Sequence, residues 1–207
     1  MLVMGIDEAG RGAVLGPLVL GAYTCDEAAL DAVKATGATD SKLLSPARRR
    51  ALVAPLGALG QGRLELIPAT AIDEGNLNDL EMRAMARLID EVRPGRVWID
   101  APVNPRGIPR FVRALRACLR SQPELVVEPK ADLTWIAVSA ASVLAKVRRD
   151  AEIEALGPVG SGYPSDPTTR ALLTKLLASG APLPPWVRSR WGTLQRLRQA
   201  ALFPEQP

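Results

Sequence analysis

The chain of 207 residues contains no histidine. That absence excludes a Ser-His-Asp triad, a histidine general base and any zinc held through imidazole. Cysteine is nearly missing too: Cys25 and Cys118 stand far apart and form no C-x-x-C. A soft-metal site is therefore not expected, and each thiol reads as reduced and buried, in keeping with a cytoplasmic protein. No run of 18 apolar residues occurs, so no membrane span is expected. The start of the chain shows no basic region leading into an apolar core and a cleavage site, so no secretion signal is expected either. One local absence is informative. Between Ser41 and Gly62 there is no acidic residue, while Arg48, Arg49 and Arg50 crowd the middle of that stretch. Arg188, Arg190, Arg196 and Arg198 likewise lie in a tail with no acid before Glu205. With a formal net charge of +4, these segments suit a partner with a phosphate backbone, although basic runs are also common on solvated helix faces.

What is present centres on Gly5-Ile6-Asp7-Glu8-Ala9-Gly10-Arg11-Gly12. It follows the apolar run Leu2-Val3-Met4, which reads as a short buried strand. Adjacent side chains on a regular strand point to opposite faces, so Asp7 and Glu8 serve one site only if the strand ends or distorts near them. Gly10 and Gly12 permit such a bend and a close approach of backbone to a ligand. Arg11 offers a planar donor for phosphate, or else neutralises Asp7 or Glu8.

The rest of the chain alternates. A second strand is expected over Leu15–Tyr23, and a short helix or loop over Asp26–Ala35. A helix is expected from Ser45-Pro46, with proline at its first position. A third strand is expected within Gly60–Pro68, then a polar connection from Ala71 to Asn78 and a helix over Asp79–Val92. A fourth strand covers Arg96–Asp100, a helix lies around Pro109–Leu119, and a fifth strand covers Leu125–Val127. The pattern from Leu133 to Leu156 is helical, with small residues Ala137, Ala140, Ala141 and Ala145 that let another element pack close. Ser139 and Ser142 either face a site or bond back to their own helix. The glycine-rich loop Gly157–Pro167 carries one aromatic, Tyr163. Helices over Thr168–Ala178 and Arg190–Ala201 end the chain. This order predicts an α/β fold: a mixed central sheet flanked by helices, the early strands as an antiparallel meander and the later ones entering through helical crossovers.

Asp7, Glu8, Asp100 and Asp132 all fall where strands leave the sheet, which is where open α/β sheets bind ligands. Carboxylates gathered there repel one another unless a cation holds them. Carboxylate ligands favour magnesium or manganese, and two such ions about 4 Å apart would clamp a phosphodiester and activate water without a histidine.

Five segments carry a resemblance to a known family. They are the opening octet, Asp40-Ser41-Lys42, Trp98-Ile99-Asp100-Ala101, Lys130-Ala131-Asp132, and the helix from Ser139 to Asp150 that contains Ser139-Ala140-Ala141-Ser142. Together they strongly resemble ribonuclease HII, the type 2 ribonuclease H. Gly160–Pro167 and Trp191-Gly192-Thr193-Leu194 look like its archaeal-type branch. The resemblance implies a ribonuclease H-like fold, a catalytic region over residues 1–160, and a C-terminal loop and helical extension over 161–207. It also implies hydrolysis of the RNA strand of RNA–DNA hybrids and nicking 5′ of single ribonucleotides in DNA, leaving 3′-hydroxyl and 5′-phosphate ends.

By the same likeness Asp7, Glu8, Asp100 and Asp132 are the metal-binding acids. Gly10, Arg11 and Gly12 read the 2′-hydroxyl, the group that separates RNA from DNA. Tyr163 packs against the sugar at the junction, and Lys42 and Lys146 contact phosphate. Asp150 reads as structural, paired with Arg148 or Arg149; the rival assignment makes it the fourth ligand in place of Asp132. Two positions depart from the family: Ala13 stands where proline is usual, and Leu43 where a second lysine is common. A monomer is expected, and no motif for a sliding-clamp partner is readable in the chain.

Overall fold

The structure is a computed structural model that describes the backbone of residues 1–38 and 43–202 and the side chains through residue 199. The Asp40-Ser41-Lys42 motif, and with it the expected phosphate contact of Lys42, lies outside the described residues.

Strand β1 (Leu2–Ala9) is the centre of the sheet because both of its faces are covered, with Val3, Met4 and Ile6 fully buried. It pairs antiparallel with β2 (Leu18–Asp26), which pairs antiparallel with β3 (Gln61–Ile67). On its other side β1 runs parallel to β4 (Arg96–Asp100), which runs parallel to β5 (Glu124–Glu128). The order is β3-β2-β1-β4-β5, the mixed sheet expected from the sequence. The helices are α1 (Leu30–Ala35), α2 (Pro46–Leu59), α3 (Ala69–Glu74), α4 (Leu77–Val92), α5 (Ile108–Cys118), α6 (Ala131–Thr134), α7 (Ile136–Glu154), α8 (Pro167–Ala178) and α9 (Gly192–Leu202).

Alternation along the strands divides the core into two layers. Met4, Ile6, Val97 and Ile99 pack on Met85, Leu88 and Ile89 of α4 and on Phe111 and Leu115 of α5. Val3, Tyr23 and Trp98 pack on Ala137 and Ala141 of α7 and on Leu52 and Leu56 of α2. Helix α7 lies almost on the strands. A Cβ on Gly5 would come within 2.1 Å of the Ala137 carbonyl carbon, and one on Gly21 within 2.4 Å of the Ala141 oxygen. The small residues on both sides of this contact are what allow it.

Several element boundaries differ from the sequence expectation. Strand β2 begins at Leu18 rather than Leu15. Val14 and Leu15 instead donate backbone hydrogen bonds to Gly162 O at 2.8 and 3.2 Å, which ties this segment to the glycine loop. The expected polar connection 71–78 contains α3 and the start of α4, whose N-cap Asn76 accepts from the backbone of Asn78 and Asp79. The helix expected from Leu133 breaks at Trp135, which is extended and stacks on Trp98 with ring centroids 4.7 Å apart. Of the two thiols only Cys25 is buried; Cys118, at the outer end of α5, is exposed.

A third apolar cluster joins Val14 and Leu15 to Ile153, Val159, Leu173, Val187 and Leu194, so the C-terminal segment packs on the β1–β2 connection. Asp73 of α3 fastens the same segment, accepting from Ser189 N at 2.6 Å, Ser189 Oγ at 2.7 Å and Arg190 N at 3.2 Å. Among the described residues no helix is long and apolar enough to cross a membrane.

Candidate active site

Ile6 lies opposite Ile99 in the parallel β1–β4 pair. One residue further along each strand come Asp7 and Asp100, neighbours at the same level of the sheet and on the face that carries α7. Asp7 is only 6% exposed. It accepts from Glu8 N at 2.7 Å and from the Ser142 side chain of α7. Burial is the main cause that pushes its carboxyl up to about 7, and the charges of Asp100 and Asp132 push the same way against the Ser142 bond. Those two charges act on Asp7 because acids distant in the chain reach one place.

The β5–α6 turn delivers Asp132. Lys130 adopts a left-handed conformation there, with φ of 58°, so the chain reverses at once into α6. Asp100 Oδ1 accepts from Ala131 N at 3.0 Å, which locks this turn to the end of β4. The Ser139 hydroxyl donates to the Asp132 carbonyl. Ser142 of the Ser-Ala-Ala-Ser helix thus faces the Asp7 carboxylate, and Ser139 bonds the Asp132 backbone rather than its own helix.

Glu8 departs from the strand on the other side. Strand β1 stays paired through Ala9, opposite Val19, and ends one residue beyond Glu8. Burial raises the Glu8 carboxyl well above the ordinary range, followed by the charges of Asp7, Glu81 and Asp100; Arg11 opposes them. Glu8 Oε2 is buried and meets no hydrogen-bond donor among the described residues.

Arg11 neutralises neither Asp7 nor Glu8 by direct pairing. Its Nε donates to both oxygens of Glu81, at 3.2 and 3.1 Å, and its Nη2 to Asn78 Oδ1 at 2.5 Å. Glu81 of α4 has no exposed surface. The guanidinium is therefore a strut, and the turn presents its backbone instead. Gly10 has φ of 89°, and a Cβ there would strike Arg149 Nε at 2.5 Å. A Cβ on Gly12 would meet nothing within 4 Å, so that side of the turn is open to a ligand. Below the turn the buried Arg188 donates to Arg11 O and Gly16 O, both at 3.1 Å.

Tyr163 sits beside the same turn. Its ring lies under the Arg149 guanidinium, 4.5 Å from the ring centroid, and Arg149 also donates to Ser161 O at 3.0 Å. Arg149 thus touches both Gly10 and Tyr163 and spaces one from the other. Lys146 is half-buried on α7, one turn beyond Ser142. Asp150 bonds Arg49 Nη2 at 2.9 Å, not Arg148, which pairs with Glu152, nor Arg149. Of the two rivals for the fourth acid, Asp132 is the one whose charge acts on Asp7.

Glu81 and Asn78 are not singled out from the sequence, where Arg149 figures only as a partner for Asp150 and Arg188 only in a basic tail. Glu81 alone left a trace, as an acid on the apolar stripe of an amphipathic helix. The donor set suits a hard divalent cation: carboxylate oxygens only, one of them buried without a donor, and like charges raising Asp7. Among the described residues, no three acids are already drawn together into a group that could hold an ion.

The ribonuclease HII family model matches residues 4–194, a span that includes all four acids, the glycine–arginine–glycine turn and Tyr163. The chain belongs to the ribonuclease HII family. A Thermococcus sibiricus ribonuclease HII is 42% identical over 96% of this chain and 92% of its own length. Among solved structures, the ribonuclease H2 of Pyrococcus horikoshii superposes with a TM-score of 0.88 at 36% identity, covering 98% of this chain and all of that one. The ribonuclease HII in a PCNA:RNase HII complex from Archaeoglobus fulgidus gives 0.83 at 36% identity, over 92% of this chain and 95% of that one. As a ribonuclease HII, the protein is an endoribonuclease of the ribonuclease H type, acting on RNA in hybrid with DNA, and its mixed sheet with flanking helices is the ribonuclease H-like fold.

Proposed function

We propose that this ribonuclease HII nicks duplex DNA on the 5′ side of a single embedded ribonucleotide, as well as cutting the RNA strand of hybrids. The ends would be a 3′-hydroxyl and a 5′-phosphate, and the role would be removal of ribonucleotides during DNA replication and repair. One observation carries the reading. The buried Asp7, with Asp100 and Asp132 acting on it, sits at the end of the strand that leads directly into the open Gly10–Gly12 turn, beside Tyr163.

Asp7, Glu8, Asp100 and Asp132 would hold two divalent ions, Mg2+ or Mn2+. When bound, such ions lower the pKa of water and neutralise charge on the attacking and leaving oxygens. The remaining work falls to the chain. Ser142 orients Asp7, and the Ala131 amide orients Asp100. Glu81 and Asn78 hold Arg11 aside so that the backbone of Gly10, Arg11 and Gly12 faces the 2′-hydroxyl. Tyr163, stiffened by Arg149, packs on the sugar at the junction. Lys146 and Lys42 contact phosphate. We read residues 1–160 as the catalytic region and 161–207 as an extension packed on it, in a cytoplasmic monomer. The Archaeoglobus relative solved with PCNA makes a sliding clamp the partner to test first.

The test is a labelled duplex with one central ribonucleotide, incubated with Mg2+, with Mn2+ or with chelator. A single nick on the 5′ side is expected, with an end that a DNA polymerase extends, and no cleavage without a divalent ion or on all-DNA duplex. Cleavage 3′ of the ribonucleotide, or cleavage that survives chelation, would sink the proposal.

A further inference from the structure

Helix α5 and the turn before it carry Arg106, Arg110, Arg113 and Arg116, all exposed. No acid occurs between Ala101 and Pro123. Phe111 and Leu115 bury the opposite side of the helix. At about 100° per residue, positions 110, 113 and 116 share roughly a third of the circumference. Some arginines elsewhere are matched to carboxylates, Arg63 to Glu91, Arg96 to Glu124 and Glu27, Arg148 to Glu152, and others such as Arg83 and Arg170 have no described carboxylate partner; on α5 and its turn the unmatched ones fall together on one face. None of the four on this stripe ion-pairs with a described carboxylate.

Arg110 links one end of the stripe to the surroundings of the site. Arg11 Nη2 is bonded to Asn78 at the start of α4. Asn78 borders a cleft of about 420 Å³ whose other wall, the start of α5, contributes Asn104, Arg110 and Phe111. From Arg106 to Arg116 the helix rise gives about 15 Å of positive surface. Duplex DNA presents a negative charge about every 1.7 Å of its axis, so this length faces several phosphates.

We propose that the α5 arginine stripe is a second nucleic-acid contact, gripping the phosphate backbone of the duplex that flanks the cut. It rests on the reading of the site given above and adds a surface that supplies affinity rather than chemistry. Phosphate contacts of this kind position the duplex and carry no sequence information.

The experiment changes Arg106, Arg110, Arg113 and Arg116 together to Gln, and in parallel to Lys. Binding to a 30-base-pair all-DNA duplex is measured from 50 to 250 mM salt, and cleavage of the same duplex with one ribonucleotide at saturating enzyme. In the Gln variant the slope of log K against log salt is expected to be smaller by about 2 to 4, at about 0.9 per phosphate contact. Its Kd at 150 mM salt should rise at least tenfold while the saturated cleavage rate stays within twofold. The Lys variant should bind within threefold of the parent. An unchanged slope in the Gln variant overturns the proposal. So does an unchanged slope together with lost retention on immobilised polyglutamate, which would reassign the stripe to an acidic protein. Loss of the saturated rate in both variants overturns it as well. If the Gln variant does not fold, Arg113→Glu alone is measured, and an unchanged slope there counts equally against the stripe. All-DNA duplex keeps the two claims separate, since the binding comparison stands even if the parent protein fails to nick the ribonucleotide.

Discussion

Asp7 is buried where the charges of Asp100 and Asp132 act on it, and its burial has two opposed consequences. Ionised and without a cation it is unfavourable, because burial and two neighbouring charges work against it. As a donor to a divalent ion it is well placed for the same reason. Asp7→Asn is therefore expected to lower cleavage at least a thousandfold while raising the melting temperature of chelator-treated protein by a few degrees at pH 8; a drop in melting temperature would show that the carboxylate is not strained. The role proposed for Tyr163 is narrower. Tyr163→Ala is expected to reduce nicking at a single ribonucleotide at least tenfold more than cutting of a long hybrid, since only the former depends on recognising the junction sugar. Equal losses on both substrates would contradict that role. Arg11 has a partner that the local sequence does not point to. Its place between two glycines was plain in the sequence, whereas Glu81 lies 70 positions away and nothing local announces the pair.

The decisive contact between elements is α7 lying on β1 and β2. The alanines of α7 were legible as a close-packing face, but the glycines that receive them, Gly5 and Gly21, became visible only once β1 and β2 were paired. A methyl group at Gly21 would press on the Ala141 carbonyl, a rigid backbone atom. Gly21→Ala is expected to destabilise the fold by about 1–3 kcal/mol, and a denaturation midpoint equal to the parent's would show that the helix can simply shift. The same contact holds Ser142 against Asp7 and Ser139 against the Asp132 backbone, so the variant should lose activity in proportion to this displacement. Helix α6 stops after one turn because Trp135 stacks on Trp98, a pairing across 37 positions that overrides a helical pattern in the sequence.

For the molecule as a whole, the raised acids set a pH dependence. The Asp7 carboxyl binds its proton near pH 7 when folded and near 3.8 when unfolded. The unfolded chain therefore binds fewer protons between those values, and stability falls as pH rises through that window, levelling off above it. Glu8 and Glu81 are shifted in the same direction by burial. Asp26, Asp90 and Asp166 are shifted downward, and they matter only under more acidic conditions. Between pH 5 and 8 the melting temperature of chelated protein is expected to decline by several degrees, and saturating Mn2+ should flatten that decline. A profile that rises with pH would mean the acids are not buried together. The C-terminal segment adds its own constraint. Arg188 reaches the backbone of the glycine–arginine–glycine turn, and Asp73 clasps Ser189 and Arg190, so the C-terminal segment steadies that turn.

The sequence by itself determined the class of chemistry. Without histidine and with almost no cysteine, hard carboxylates were the ligands left for a metal, and their places at strand ends followed from local patterns of apolar residues and turns. It also determined the alternation of strands and helices, because periodicity is a property of neighbours in the chain. Only the tertiary structure decided which charges meet: Arg11 with Glu81, Asp150 with Arg49, Ser142 with Asp7, and the α5 arginines with no described carboxylate. Charge pairing depends on distance in space, and a sequence of residues fixes that distance only after the sheet has closed and its two faces have been covered.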